Sequence, residues 1–594
     1  MTTPTRASFT CWQPSGGFVR EVVVDKARAE GTSIFFAIGT SPYSPLETFP
    51  ANNSETGIEA GQTLAQAIYL SGIFYPPPLC SGLGTCGQCR VRILEKTPTP
   101  LAGDARFFSA AELGLGWRLG CLHRPVQGML VVLPPQQPVA SMPPALCGSY
   151  IPSLSTPKRH PPFLAVDLGT TSLQWLATDG TTQVSGYRVN PQMGAGGDVV
   201  SRLAYAGTAE GMGILHELTR KAFLAIMQEA RGAGIDPSAI VLAANPAMTA
   251  IALGLGLKTA RSLGKAPYHL SPELLEAGGK AHTLQGLPSL RAVPALAPFV
   301  GGDIAAGYAA LTFGAEVPRY PFLLTDMGTN GEILLALAPD KAIIGSVALG
   351  PALEGASLAF GSEARPSVVT SFALGPKGLE PVFLAGDASG IATSQAGRRL
   401  EGPEPRISGT GYLSLLHRLL LAKSLRLDGS FDAQAPLLAR QRAALKTVAS
   451  RTGLPMPKEP YWPLPGGIYL SASDVEEILK VKAAFSVGLA CILREAGLDW
   501  CDLSAVYLAG ALGRYTDPAS LEALGFIPPG GFALVRVAGN TSLAGAVLLG
   551  QDASLWPPLD RWAENVTCVH LADDAYFSQN YVANMVFSFR AFQQ

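Results

Sequence analysis

Four cysteines near the start of the chain constrain its folding more than any other feature. Cys80, Cys86 and Cys89 sit within CSGLGTCGQCRV, and Cys121 follows in WRLGCLHRP. The order is C-x5-C-x2-C with a distant fourth cysteine, close to the plant-type layout that holds a 2Fe–2S cluster. Four thiolates must converge on two irons, so the chain has to wrap tightly around them. Gly82, Gly84 and Gly87 permit that turn and let backbone N–H groups face the sulfurs. The chemistry such a site serves is the movement of single electrons.

A structural zinc is the alternative for four cysteines that include a C-x2-C pair. Zinc sites usually show two short pairs, whereas here three cysteines share one glycine-rich loop. A Rieske centre needs two histidine ligands; His123 lies near Cys121, but no second histidine pairs with it. The remaining cysteines (Cys11, Cys147, Cys491, Cys501 and Cys568) form no C-x2-C pair and read as small buried hydrophobes. The segment GTCGQCRV resembles the cluster loop of ferredoxins.

With 594 residues, the chain has room for roughly three to five domains of about 150 residues. Its formal net charge is −1 and charged residues make up 15%. That leaves no basic footprint for nucleic acid and little attraction to a membrane surface. The start, MTTPTRASFTCWQ, has no long apolar core and so no secretory signal. The nearest approach to a membrane span is ALAPFVGGDIAAGYAALTF. Asp303 and its glycines read there as a buried soluble segment. A cytoplasmic location is expected, which also suits thiolates that hold iron rather than form disulfides.

The expected architecture is multidomain, α/β and α+β. Residues 1–32 form an N-terminal extension in which GFVREVVVD reads as a strand. Residues 33–135 have the pattern of a β-grasp ferredoxin. The strand TSIFFAI opens it, and a helix TLAQAIYLSG starts at Thr63 as N-cap and ends at Gly72. The cluster loop, the strand RVRIL, a helix AAELGLG and a closing strand MLVVLP follow. Residues 136–161 are proline-rich without periodicity, a semi-extended linker. From 162 to 594, strands alternate with helices. FLAVDLGTTSLQWLATD and FLLTDMGTNGEILLALA share strand, Asp-x-Gly-Thr, strand, which predicts two lobes from a duplication, the second repeat starting near 320.

Each Asp-x-Gly-Thr turn can cradle phosphate oxygens with its backbone N–H groups and hydroxyls. Asp167 and Asp326 are expected to hold Mg²⁺ as hard carboxylate ligands. Gly169, Thr170 and Thr171 would contact phosphate from one lobe; Gly328, Thr329 and Asn330 would do so from the other. AVYLAGALGRY is a strand ending in Ala-Gly-Ala-x-Gly, where Gly510 and Gly513 would admit adenosine close to the backbone. Together these resemble the phosphate-1, phosphate-2 and adenosine motifs of the sugar kinase, heat-shock chaperone and actin superfamily, and imply ATP binding. GLGLKTARS lacks the glycine that the P-loop pattern requires before its lysine. Glu332 and Glu354 position water or Mg²⁺, or are structural. Lys482 touches nucleotide, or is a solvated helix lysine. Asp303 lines the cleft or caps a helix, and Asn540 binds its own turn.

A ferredoxin joined to such an ATPase resembles the reductive activators of corrinoid proteins. NPQMGAGGDVVSRL, APFVGGDIAAG, GPALEGA, SASDVEEILKVKAA, LAGALGRYTDP and VAGNTSLAGA carry that resemblance. AANPAMTA, RISGTGYLS and AFGSEARPSVV depart from the family pattern. The resemblance implies ATP-dependent one-electron reduction of Co(II) to Co(I) on a corrinoid protein, with Asp167, Asp326 and Glu332 in catalysis. It implies an upstream low-potential electron donor, and the superfamily admits a homodimer. Two other readings stay open. One is an ATP-driven donor to a different acceptor, as in activators of 2-hydroxyacyl-CoA dehydratases, although those carry a 4Fe–4S cluster between subunits. The other is a nucleotide-gated, redox-responsive binding protein.

Overall fold

The computed structural model describes residues 62–71, 76, 79–84, 87–126, 128–133, 160–255, 281–282, 284–314, 316–350, 352–355, 357–362, 364, 368–375, 378–383, 406–432, 434–435, 459–464, 468–510 and 516–590, with the backbone of 19–23, 34–38 and 54–55. Cys86 and Gly513 lie outside the described residues, as do Gly72 and most of the proline-rich stretch.

The first sheet comprises β1 (Val19–Val23), β2 (Ile34–Ile38), β3 (Ser54–Glu55), β4 (Arg90–Glu95), β5 (Trp117–Leu119) and β6 (Met129–Leu133), in the order β3-β1-β2-β6-β4-β5. β1 falls in the segment read as an extension, yet it pairs antiparallel with β2 and belongs to this sheet. The helix Leu64–Tyr69 is short because its ends are fixed. Thr63 and Gln66 form a capping box, and the helix closes at Leu70. Its Leu64 and Ile68 pack with Val91, Ile93, Met129 and Val131 in one small core, as the alternating burial of β4 and β6 requires.

The second sheet holds β7 (Phe163–Leu168), β8 (Ser172–Thr178), β9 (Gln183–Val189), β10 (Ala239–Ala244), β11 (Ala281–His282) and β12 (Ser289–Ala292), in the order β11-β12-β10-β7-β8-β9. The third begins with β13 (Phe322–Met327), β14 (Asn330–Ala338) and β15 (Lys341–Ala348). Two hairpins follow, from β16 (Val369–Gly375) with β17 (Gly378–Phe383), and β18 (Tyr461–Pro463) with β19 (Tyr469–Ser471). β20 (Ala505–Ala509), β21 (Val535–Gly539) and β22 (Thr567–Val569) complete it in the order β21-β20-β13-β14-β15-β22.

The second and third sheets repeat one plan. β7 is parallel to β10 and antiparallel to β8; β13 is parallel to β20 and antiparallel to β14. Both central strands are covered on their two faces, which is why FLAVD and FLLTD read as hydrophobic runs rather than alternations. The helices Gly302–Thr312 and Thr541–Gln551 cross between the sheets. A Cβ at Gly545 would lie 1.8 Å from the Ala306 carbonyl oxygen, and one at Gly307 would lie 2.8 Å from the Thr541 hydroxyl. Glycine is what lets the two backbones meet. One core therefore runs from Phe163 and Val241 of the first lobe to Phe322, Leu324 and Leu543 of the second.

The N-terminal sheet is docked on the first lobe. Leu70 is buried in that lobe's core, a burial worth about 2 kcal/mol. Gln62 Nε2 also donates to the Tyr205 hydroxyl at 2.9 Å. Among the described residues, no helix is long and apolar enough to cross a membrane.

Candidate cluster and nucleotide sites

The cysteine loop leaves Leu79 and returns into β4 at Arg90. Gly82, Gly84 and Gly87 all take left-handed φ values of 87°, 68° and 64°, the conformation that favours glycine. At Gly87 a Cβ would also strike the Phe107 ring at 2.5 Å. The backbone N–H of Cys121 donates to Cys89 Sγ at 3.4 Å. The Cys121 thiol is held below its ordinary pKa, chiefly by its hydrogen bond with Cys89. The Gly84 and Cys121 N–H groups add to this, against burial and the neighbouring Cys80. Cys80 and Cys89 are buried. No three ligating side chains among the described residues meet around one point. A two-iron cluster does not ask for that, because each iron takes two thiolates. The Cys89–Cys121 pair, with Cys80 as its charged neighbour and backbone N–H groups aimed at sulfur, fits such a cluster.

The two Asp-x-Gly-Thr turns face each other. Thr170 Oγ1 lies 3.2 Å from Thr329 Oγ1. Between them stands the Glu354 carboxylate. It accepts the Thr329 N–H at 2.6 Å and the Thr329 hydroxyl at 2.8 Å, and it accepts the Thr171 hydroxyl. The donors of both turns thus point at one spot and already hold an anionic group there, which is the chemistry a phosphate needs. Gly169 N–H closes its turn on the Ser172 carbonyl at 2.9 Å. A Cβ at Gly328 would lie 3.2 Å from Glu354 Oε1. Asn330 opens β14 beside that turn.

Behind the turns lies a group of carboxylates. Asp326 stands opposite Glu332 in the β13–β14 register. The Asp326 pKa is raised to about 8, first by burial and then by Asp303, Asp167 and Glu354. Asp167 is raised to about 7 by burial, against a hydrogen bond from Asn540. Asp303 is raised to about 6, again by burial. Glu332 is pushed well above the usual carboxylate range by burial, then by Asp303 and Asp326. No three acids among the described residues converge on one point, but Mg²⁺ ordinarily takes only one or two carboxylates with the substrate's phosphates, and Asp167 and Asp326 at the two turns fit that demand.

Asn540 does more than bind its own turn. Its Oδ1 caps the helix at Leu543 N–H (2.7 Å), while its Nδ2 donates to Asp167 Oδ2 at 2.7 Å. Gly510 has a φ of 76°, and a Cβ there would meet Asp326 Oδ1 at 2.3 Å. Lys482 follows neither sequence expectation. It is fully buried, and its Nζ donates to the carbonyls of Asn584 (3.1 Å) and Ser588 (2.6 Å). It ties down the C-terminal segment.

Sequence reasoning missed Arg202. This side chain is fully buried beneath the first turn. Nε donates to the Gly196 carbonyl at 2.9 Å and Nη2 to the Thr170 carbonyl. Burial lowers its pKa to about 9, with Glu354 and Asp198 countering. A single arginine in VVSRLAY looks like an ordinary helix-surface charge. Only its contact with a turn 32 residues earlier reveals its place.

Comparison with known proteins places both regions of the chain. The family model described as the C-terminal domain of RACo, the ASKHA domain, matches residues 321–593, and the RACo middle region matches residues 163–315. A corrinoid activation enzyme, RamQ of Eubacterium limosum, is 28% identical over 461 residues, covering 74% of this chain and 72% of that protein. A component of the Na(+)-translocating NADH-quinone reductase of Chlamydia pneumoniae is 45% identical over 64 residues, 11% of this chain and 15% of that one. Among solved structures, a reductive activator for corrinoid, iron-sulfur protein aligns with a TM-score of 0.57 at 17% identity, covering 96% of this chain and 98% of that one. Matched over both its middle and C-terminal parts, with an ASKHA fold and a ferredoxin-like N-terminal region, the chain belongs to the RACo family of reductive activators of corrinoid proteins.

Proposed function

We propose that this protein uses ATP to drive one-electron reduction of a corrinoid protein from Co(II) to Co(I). The observation that carries the reading is the meeting of the two Asp-x-Gly-Thr turns across 3.2 Å at Thr170 and Thr329, in a chain that also carries the cysteine loop.

Cys80, Cys86, Cys89 and Cys121 would hold a 2Fe–2S cluster in a β-grasp ferredoxin domain. Such a cluster supplies a one-electron carrier near about −400 mV. Returning Co(II) to Co(I) needs a lower potential, and about 59 mV of uphill one-electron transfer costs about 1.4 kcal/mol. A gap of about 100 mV or more therefore calls for coupling to nucleotide.

Gly169, Thr170, Thr171, Gly328, Thr329 and Asn330 would bind the phosphates from two sides, with Gly510 and Gly513 on the adenosine side. Asp167 and Asp326 would hold Mg²⁺, which supplies charge neutralisation at the phosphates. Asn540 orients Asp167 for that task. Glu332, opposite Asp326 in the strand register, would in its ionised form accept a proton from the attacking water. A bound nucleotide joining the two turns favours closure of the lobes about the crossing of Gly307 and Gly545. Closure changes the surface that the corrinoid protein meets, and ADP release resets it. An upstream low-potential donor is required to refill the cysteine site. A cytoplasmic location and a homodimer are compatible with this reading.

The test is anaerobic. Reduced protein is mixed with a Co(II) corrinoid protein, and the Co(I) absorption band is followed with and without ATP. ATP-dependent Co(I) formation is expected. ATP hydrolysis without Co(I) on any corrinoid protein tried would overturn the proposal and favour a different acceptor.

A further inference from the structure

The cysteine loop straddles the cleft between the lobes. On the first-lobe side, the Ser81 hydroxyl donates to the Asp198 carboxylate and accepts the Gly197 N–H at 2.9 Å. Ser81 has a φ of 51°, a left-handed shape that costs a non-glycine residue about 1 kcal/mol or more. The surrounding contacts hold it there. Gly197 must be glycine for this approach, since a Cβ would lie 2.0 Å from the Leu79 carbonyl oxygen. Asp198 also caps the helix Val199–Tyr205 through Ser201 N–H at 2.8 Å. One turn along that helix, Arg202 reaches the Thr170 carbonyl.

On the second-lobe side, Gln88 Nε2 donates to the Gly361 carbonyl at 2.9 Å. A Cβ at Gly361 would lie 2.2 Å from the Gly355 carbonyl oxygen, so the two segments are in backbone contact. Gly355 follows Glu354, the carboxylate that bridges Thr171 and Thr329. Each end of the loop is therefore a few bonds from one of the two turns. The first path runs Ser81, Asp198, Arg202, Thr170. The second runs Gln88, Gly361, Gly355, Glu354, Thr329.

We infer that the cysteine loop senses the nucleotide, with Ser81 as its anchor on the first lobe and Gln88 as its releasable contact on the second. This rests on the nucleotide reading above. Phosphate oxygens that take the Thr171 and Thr329 donors displace the Glu354 carboxylate from them. The segment through Gly355 then shifts against Gly361, and the Gln88 contact opens. Ser81 and Gln88 act through other groups and are positioning residues.

Hydrogen–deuterium exchange on the full-length, cluster-loaded protein tests this, with and without a non-hydrolysable ATP analogue. In the unsubstituted protein the analogue slows exchange at 167–171 and 326–330 and speeds it at 79–90. Gln88→Ala, which removes the contact with the Gly361 carbonyl, gives the fast loop without nucleotide, roughly tenfold above the parent, and the analogue adds nothing. Ser81→Ala speeds exchange at 194–206 as well. Visible absorption confirms that each variant keeps its cluster, since neither side chain is a cysteine ligand. A loop indifferent to the analogue while both turns are protected overturns this inference alone. So does a Gln88→Ala loop that exchanges like the parent's. Turns that ignore the analogue overturn the nucleotide reading, and this inference with it.

Discussion

The Glu354 carboxylate accepts both the backbone N–H and the hydroxyl of Thr329, at 2.6 and 2.8 Å. An acid of the protein thus takes the donors that a phosphate would need. Binding must first break these charge-assisted hydrogen bonds, each worth roughly 1.5–3 kcal/mol net. Glu354→Gln keeps the shape and removes the charge that repels phosphate. We expect its ATP dissociation constant, measured by calorimetry, to fall by about tenfold, the equivalent of 1.4 kcal/mol. Equal or weaker binding would mean that Glu354 assists the nucleotide rather than competing with it.

Asp326 is predicted to trade stability for function. Its pKa is raised to about 8 from an ordinary 3.8, first by burial and then by Asp303, Asp167 and Glu354. Between about pH 4 and pH 8, the folded chain keeps a proton that the unfolded chain has released. Stability therefore falls as pH rises through that window. Asp326→Asn removes this term. Its melting temperature should depend less on pH between 6 and 8, and at pH 8 should exceed the parent's by about 2 °C or more. Asp326→Ala should abolish ATP turnover while the visible spectrum of the cluster persists. Full turnover in that variant would remove Asp326 from the phosphate site.

How far the chain could be read in advance depended on sequence distance. Thr63 announces its helix because its capping partner, Gln66, is three residues on. The Asp-x-Gly-Thr turns are legible because each is a local hairpin with its own glycine, and because the unit occurs twice. Lys482 was not legible. Its burial depends on carbonyls about a hundred residues later in the chain, and nothing in ILKVKAAF distinguishes it from Lys480, which sits among Glu476 and Glu477. The pairing of Ser81 with Asp198 spans 117 residues. Serine and aspartate in glycine-rich loops look like turn formers, and that is half of what they are here. Sequence exposes groups that act locally and hides those whose partner is brought by the fold.

The cysteine site gives a spectroscopic prediction. The Cys121 thiol is held below its ordinary pKa chiefly by its hydrogen bond with Cys89, so these two thiols lie within hydrogen-bond reach of each other. Cys86 completes the motif from the sequence, although it lies outside the described residues. Cys86→Ala should lose the 2Fe–2S absorption in the visible region and retain nucleotide binding, because no Asp-x-Gly-Thr donor depends on it. An unchanged spectrum would remove Cys86 from the ligand set.

The crossing of the two inter-lobe helices can be tested by adding one carbon. Alanine normally stabilises a helix interior relative to glycine by about 1 kcal/mol. Gly213, on the helix Ala209–Gly232, has nothing within 4 Å of a built Cβ, so Gly213→Ala should be neutral or slightly stabilising. At Gly545 the same carbon would lie 1.8 Å from the Ala306 carbonyl oxygen. The helices must then separate, opening the core that Phe163 and Phe322 share. Overpacking of this kind costs about 1–3 kcal/mol or more, enough to outweigh the helix-propensity gain. Gly545→Ala should therefore lower the melting temperature of the ATPase lobes by several degrees while Gly213→Ala does not. It should also slow ATP turnover, because the displaced crossing carries Asn540, and with it Asp167, on one side. Two variants that melt alike would mean that the crossing has room to spare and that the lobes do not hinge on it.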